Sequence, residues 1–282
     1  MRWFRALRET VRGGEVQRAR RRFVPSTESN RLEPRLLMSS ATDRTGAYRV
    51  DVWTKVEGNQ NVIRGRVFVG DKKVADNVLI HTTPKSKQYL RLSVAVNHGG
   101  RFAVAWDKKL TTTVDWVWMR VFDNTSHPLT APISVDNTQK SKADSRVDIN
   151  DDGLVVVSYT LVKSKNNGDI RARSFKPTDR TGTGYDSTAW GIAEGPKYEF
   201  DSSVKVAENG HWAVSYTQYP GIGGSTDVKA VTVTKIGKIV HIVAMSAKSE
   251  YISSITTYDE NVLAIAYRKN KKTYTKYITS AI

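Results

Sequence analysis

The chain of 282 residues contains no cysteine, which excludes disulfides, a thiol nucleophile and a cysteine-ligated zinc site, and leaves the redox compartment unread. Long apolar runs are missing too. The longest, such as LVVVSY at 154–159, are strand-sized and far below the roughly 20 residues that cross a bilayer as a helix. The five histidines, His81, His98, His127, His211 and His241, form no HExxH or other paired spacing, so no metal centre is expected from them. There is no sialidase-type Asp-box and no catalytic or cofactor motif that stands above the repeat, and no cofactor is expected. Acidic residues are in deficit: 44 Lys and Arg stand against 28 Asp and Glu, a net charge of +16. Charge of this sign favours anionic surfaces and polymers, without implying any specific nucleic-acid partner.

What is present is a repeat. An aromatic residue closes a similar apolar strand five times, at Trp53, Trp106, Tyr159, Tyr216 and Tyr267, in YRVDVW, RFAVAW, VVVSY, WAVSY and LAIAY. A second strand follows each about one hairpin later, ending at Phe68, Phe122, Phe175, Val233 or Ile278. Turns such as NHGG, NDDGL and ENGH supply the Gly and Asn that tight hairpins need at positive φ. Four-stranded antiparallel units of this period stack radially, because a ring hides their sheet edges. The expected fold is therefore all-β, a β-propeller of about five four-stranded blades over residues 41–282, incomplete or open at its ends. The first unit lacks an obvious innermost strand, which residues 39–47 are placed to supply, and the last stops without a fourth.

Residues 1–40 differ in kind, with ten arginines, no lysine and four glutamates. Trp3, Phe4, Leu7 and Val11 recur at helical spacing among Arg2, Arg5, Arg8 and Arg12, which reads either as a short basic amphipathic helix up to Gly13-Gly14 or as a disordered basic tail. Arg20-Arg21-Arg22 is not a twin-arginine signal, since Pro25 follows and no apolar region comes after it. Leu32-Glu33-Pro34-Arg35, then Leu36 to Met38 and Ser39-Ser40, resemble the LEPR-XLL segment of exported and cell-surface proteins of planctomycete-type bacteria. The repeats, clearest from Trp116 to Phe175, look like those of large bacterial surface and secreted proteins. These resemblances imply a targeting-like segment over 1–40, an exported, cell-surface or extracellular location, and a repeat module with no activity attached.

Candidate site residues each admit a second explanation. Asp51 stands where Val104, Val157, Val214 and Ile265 stand in the other repeats, with Arg49 on the same face. It is the candidate catalytic carboxylate of a five-bladed glycosidase-like hydrolase, or else a charge at the uncovered face of a terminal repeat. Asp148, Asn150 and Asp152 imitate the start of a calcium loop, although the twelfth position is Tyr159 and the stretch also reads as a hairpin. Arg66, Arg120 and Arg173, with Arg64, Arg171 and Lys229, form a basic stripe alternating with phenylalanines, either a surface for an acidic polysaccharide or a ladder between blades. Tyr185 and Trp190 lie in the longest insertion, Pro177 to Pro196, and are candidates for a binding rim. The reading favoured by the sequence is a noncatalytic surface module that binds a protein or carbohydrate partner, leaning away from an enzyme; the hydrolase is the alternative.

Overall fold

The computed structural model describes residues 38–279, apart from short stretches at 110, 112–113, 137, 139, 165–166, 180–183, 220–225, 235–238, 246–249, 260–261 and 270–271. The LEPR-like core and the basic segment before it lie outside the described residues. Nineteen strands and no helix are found among those described.

The strands group as the aromatic period requires. Blade I holds β1 (Met38–Thr42), β2 (Tyr48–Glu57), β3 (Gln60–Val69) and β4 (Lys72–Pro84). Blade II holds β5 (Tyr89–Val96), β6 (Phe102–Lys109), β7 (Asp115–Phe122) and a two-residue β8 (Ile133–Ser134). Blade III holds β9 (Ser141–Ile149), β10 (Val155–Ser164), β11 (Asn167–Pro177) and β12 (Tyr185–Ala193). Blade IV holds β13 (Tyr198–Val206), β14 (Trp212–Tyr219), β15 (Asp227–Val233) and β16 (Ile239–Met245). Blade V has only β17 (Glu250–Asp259), β18 (Val262–Lys269) and β19 (Lys272–Thr279). Within each blade consecutive strands pair antiparallel. The innermost strands β1, β5, β9, β13 and β17 pack one against the next around an axis. Met38, Ser39 and Ser40, the tail of the LEPR-like stretch, are thus part of the first blade. Among the described residues β1 pairs with β2 alone and β19 with β18 alone, so no strand is shared between first and last blades.

Strand alternation gives every blade two faces, and the faces are unequal in size. The face toward the preceding blade carries the large residues: Val94, Val104, Trp106 and Phe122 in blade II, Val147, Val157, Tyr159 and Phe175 in blade III, Val204, Val214 and Tyr216 in blade IV. The opposite face sets smaller ones, such as Ala95, Ala103 and Ala105, or Ala213 and Ala230, beside Val117, Met119, Val121 and Val228. Large side chains fill the space that alanines leave, which is how stacked sheets reach interior density. Trp106 is fully buried and lies 4.9 Å from the His81 ring of blade I.

The hairpins joining first and second strands end in glycines with left-handed φ: Gly46 (76°), Gly100 (80°), Gly153 (81°) and Gly210 (83°). These turns link blade to blade. Asn97 Nδ2 donates to Asn150 O (3.0 Å) and Asn150 Nδ2 to Ala207 O (3.2 Å). The His98 amide donates to Asp151 (2.8 Å), the Asp151 amide to Glu208 (2.8 Å), and Arg44 of blade I meets Glu208 of blade IV at 3.1 Å.

Candidate active site

At the other end of the axis, where the innermost strands begin, four of the five carry an irregularity at a matching place. Register shifts fall between Tyr89 and Arg91 on β5, opposite Asp144 on β9, between Phe200 and Ser203 on β13, and between Tyr251 and Ser254 on β17. A bulge adds a residue, bends the strand and re-aims the side chains beside it. Asp144 (φ 59°) and Asp201 (φ 55°) occupy the left-handed region, which Asp tolerates because its short polar group bonds locally.

The result is convergence from three blades. Arg91 Nη2 is 2.6 Å from Asp144 Oδ1, and Arg91 Nη1 is 4.0 Å from Asp201 Oδ1. All three side chains remain reachable, at 35%, 26% and 36% exposed. Behind them Arg146 donates to the Ser145 carbonyl (3.2 Å), and burial, then the Arg91 charge, press its pKa down. The Tyr198 hydroxyl is pushed up by burial and by Asp144, and its ring stacks on Phe200 at 5.3 Å. Deeper still is Asp107, cross-strand partner of Arg91 and 2% exposed, accepting the Ser145 amide at 3.3 Å. Burial pushes its carboxyl up to about 6; the Ser145 hydrogen bond opposes this and the Asp144 charge adds to it.

The residues singled out from the sequence lie elsewhere. Asp51 is on the face of blade I turned away from blade II, accepting from Ser40 Oγ (2.6 Å) and lying 3.6 Å from Arg49 Nε. Among the described residues no second carboxylate is paired with it; the nearby Asp76 is bound to Arg66 (3.0 Å) and Lys73 (2.6 Å). Arg66, Arg120 and Arg173 each lie over an aromatic ring, Trp53, Phe122 and Phe175, at 5.2, 5.3 and 5.8 Å. Arg120 also donates to Ile80 O (2.9 Å) and Arg173 to Val135 O (2.9 Å), each a carbonyl of the preceding blade. The insertion expected as a loop from Pro177 to Pro196 is corrected: its residues Tyr185–Ala193 form β12, the outer strand of blade III, because they extend the β11 ladder from Pro177↔Tyr185 inward. Trp190 there donates to Ser174 (3.0 Å) and meets Trp212 of blade IV edge-on at 5.8 Å.

Asp148, Asn150 and Asp152 do not converge. Asp148 accepts the Val206 amide (2.7 Å) and Lys205 Nζ (3.0 Å) away from the other two; Asn150 bridges to Ala207 and, with Asp152, Leu154, Lys176 and Pro177, lines a cavity of about 430 Å³ at the hairpin end. No group of three or more acidic, His or Cys side chains is disposed to hold a metal ion among the described residues.

Comparison with protein-family models and with curated proteins gives no match. Solved structures do match, at low identity. A protein of unknown function from Dyadobacter fermentans is similar at TM-score 0.57 and 10% identity, over 86% of this chain and 78% of that one. A polysaccharide lyase, the PL25 ulvan lyase, is similar at TM-score 0.54 and 9% identity over 86% of this chain; it has also been seen bound to -[GlcA(1-4)Rha3S]-. This chain spans 64% of the lyase's length. An endo-arabinase from Bacteroides thetaiotaomicron is similar at TM-score 0.47 and 9% identity, over 88% of this chain and 93% of that one. The shared feature is the propeller fold. The expectation of a noncatalytic module is corrected by a neighbour of this fold, the ulvan lyase, whose description is that of a polysaccharide-cleaving protein.

Two signals in the sequence lead to this end. Asp144-Ser145 and Asp201-Ser202 stand at the same distance before Val147 and Val204. Asp107 follows its anchor aromatic where Thr54, Thr160 and Thr217 follow theirs.

Proposed function

We propose that the chain is a glycoside-cleaving enzyme whose active site is the axial mouth formed by Asp144, Asp201 and Arg91. The observation that carries this reading is the pair of left-handed bulges that brings Asp144 and Asp201, from neighbouring blades, to one arginine. Cleavage of a glycosidic bond by hydrolysis uses two carboxyl groups flanking the bond: one gives a proton to the leaving oxygen, the other activates water or attacks the anomeric carbon. Asp144 is tied by the shorter contact to Arg91 and is assigned to the attacking or water-activating side. Asp201, held more loosely, is free to reach the leaving oxygen. Arg91 fixes both relative to each other and stabilises negative charge, a positioning effect of the kind that catalysis depends on.

A polymeric carbohydrate suits an open axial mouth, and the excess of cations on the chain suits an anionic one. The LEPR-like stretch supports work outside the cell, where such polymers are met. Full-length protein incubated with arabinan, neutral glucans and uronate-containing polysaccharides, assayed for new reducing ends, tests the proposal. Cleavage that Asp144→Asn and Asp201→Asn each lower about 100- to 10,000-fold is expected. Cleavage by elimination would instead yield an ultraviolet-absorbing unsaturated uronide, and its appearance would replace hydrolysis by a lyase reaction. No product from any polysaccharide would contradict the enzyme reading.

A further inference from the structure

Asp107 is the buried carboxyl in register with Arg91 of the mouth, and its place in the repeat is conspicuous. Three of its four equivalents, Thr54, Thr160 and Thr217, are buried hydroxyls, at 9%, 1% and 1% exposed, and the fourth is Arg268. A threonine at this place packs without charge, whereas a carboxylate there costs free energy whenever it is ionised. Buried carboxyls with perturbed ionisation are concentrated at functional sites.

The neighbours of Asp107 all belong to the mouth. Across the sheet on β5 is Arg91, in register with Asp107; across on β7 is uncharged Val117. From β9 come the Ser145 amide at 3.3 Å, Asp144 and Arg146, and Arg146 also senses Asp201 of β13. Ser145 is wholly buried and directly follows Asp144, so whatever holds the Ser145 amide holds the bulge that aims Asp144. An ionised carboxylate accepts that amide more strongly than a neutral carboxylic acid does.

We propose that Asp107 is a positioning residue for the active site: without touching substrate, it sets the Asp144 bulge through the Ser145 amide and passes its own ionisation state to Asp144 and Arg91. Above the pH at which Asp107 loses its proton, the amide is gripped, the bulge is held, and the added negative charge draws Arg91 inward. Below it the grip slackens, and Asp144 is left less firmly aimed. The inference names a regulator of the site proposed above and rests on that reading for its bearing on cleavage, but not for the coupling itself.

The coupling is tested by NMR on the full chain without substrate, following the Ser145 amide and the Asp144 side-chain carboxyl against pH. In the wild type both resonances are expected to inflect near pH 6, together with Asp107; in Asp107→Asn and in Asp107→Thr, the residue of three of the other blades, that inflection disappears. If neither variant folds, the wild-type Ser145 amide alone decides: a flat profile from pH 5 to 7 overturns the proposal. On an active substrate, kcat/KM of the wild type should fall through an acid limb near pH 6 that Asp107→Asn lacks. A cleaving enzyme whose resonances are uncoupled sinks this inference alone. Coupled resonances in a protein that cleaves no glycan leave the coupling standing and sink the enzyme reading.

Discussion

Arg91 of blade II reaches across the boundary to blade III and meets Asp144 at 2.6 Å, and this contact joins two sheets at the only end of the axis where bulged inner strands converge among the described residues. Both partners are partly exposed, so the pair adds little to stability, about 1 kcal/mol or less. Arg91→Ala is therefore expected to shift Tm by no more than a few degrees while lowering kcat on a cleaved polysaccharide about 100-fold, because Asp144 and Asp201 lose their common anchor. Thermal unfolding and steady-state rates on the same preparation separate the two effects.

The unequal faces of the blades predict unequal tryptophans. Trp106 fills the space between blades I and II, and Trp106→Ala should cost about 3–5 kcal/mol in urea unfolding. Trp53 is its equivalent in the first blade but is only half-buried, shielded by the Arg66 side chain. Trp53→Ala should cost distinctly less, about 1–2 kcal/mol. Equal costs would mean that the outward face of blade I is covered in solution.

The hairpin glycines differ in the room around them. Gly46 and Gly100 share a left-handed φ, so alanine at either place carries about 1–2 kcal/mol of backbone strain. At Gly100 an added Cβ would also stand 2.5 Å from the Tyr48 ring, whereas nothing lies within 4 Å of one at Gly46. Gly100→Ala should thus be the more destabilising, measurably so in denaturant midpoints, and Tyr48→Ala should narrow the gap between them.

His81 is half-buried between Trp106 and Tyr89, whose hydroxyl is 2.6 Å from Nδ1. Burial first, then the Lys108 and Arg120 charges, lower its pKa to about 4. The unfolded chain takes up a proton near 6.5 and the folded one only near 4, so the folded state loses ground as pH falls through that window. Stability present above pH 6.5 should decline by about 1–2 kcal/mol by pH 4, after allowance for partial exposure. His81→Gln should remove that part of the decline. A stability difference between wild type and variant that stays constant from pH 7 to 4 would contradict the assignment.

The fivefold aromatic period was enough to place the blades, since a residue that fills the gap between two sheets must recur wherever sheets meet. The innermost strand of blade I was harder to see, because MSSAT is short and largely polar and is held by its pairing to β2 rather than by an apolar pattern. The fourth strand of blade III was concealed for a similar reason: Tyr185–Ala193 is mostly exposed and takes its extended form from β11. The end that carries the proposed site was the least legible part. A bulge breaks the two-residue alternation that makes a strand visible, so Asp144 and Asp201 fall in the stretch where the pattern fails. Asp51 breaks the apolar pattern at a core position of the repeat, but the position belongs to a face that no other blade covers among the described residues. Of the third-strand arginines, Arg120 and Arg173 tie their blade to its predecessor, whereas Arg64, Arg66 and Arg171 pair with carboxylates of their own blade.

The most direct measurement is the initial rate of reducing-end release by three single variants on whichever polysaccharide the wild type cleaves: Asp144→Asn, Asp201→Asn and Asp51→Asn. The expected result is a loss of about 100- to 10,000-fold in the first two and a rate within about twofold of wild type in the third. Full activity in Asp144→Asn and Asp201→Asn, with loss in Asp51→Asn, would move the chemistry from the axis to the outer face of blade I and contradict the account.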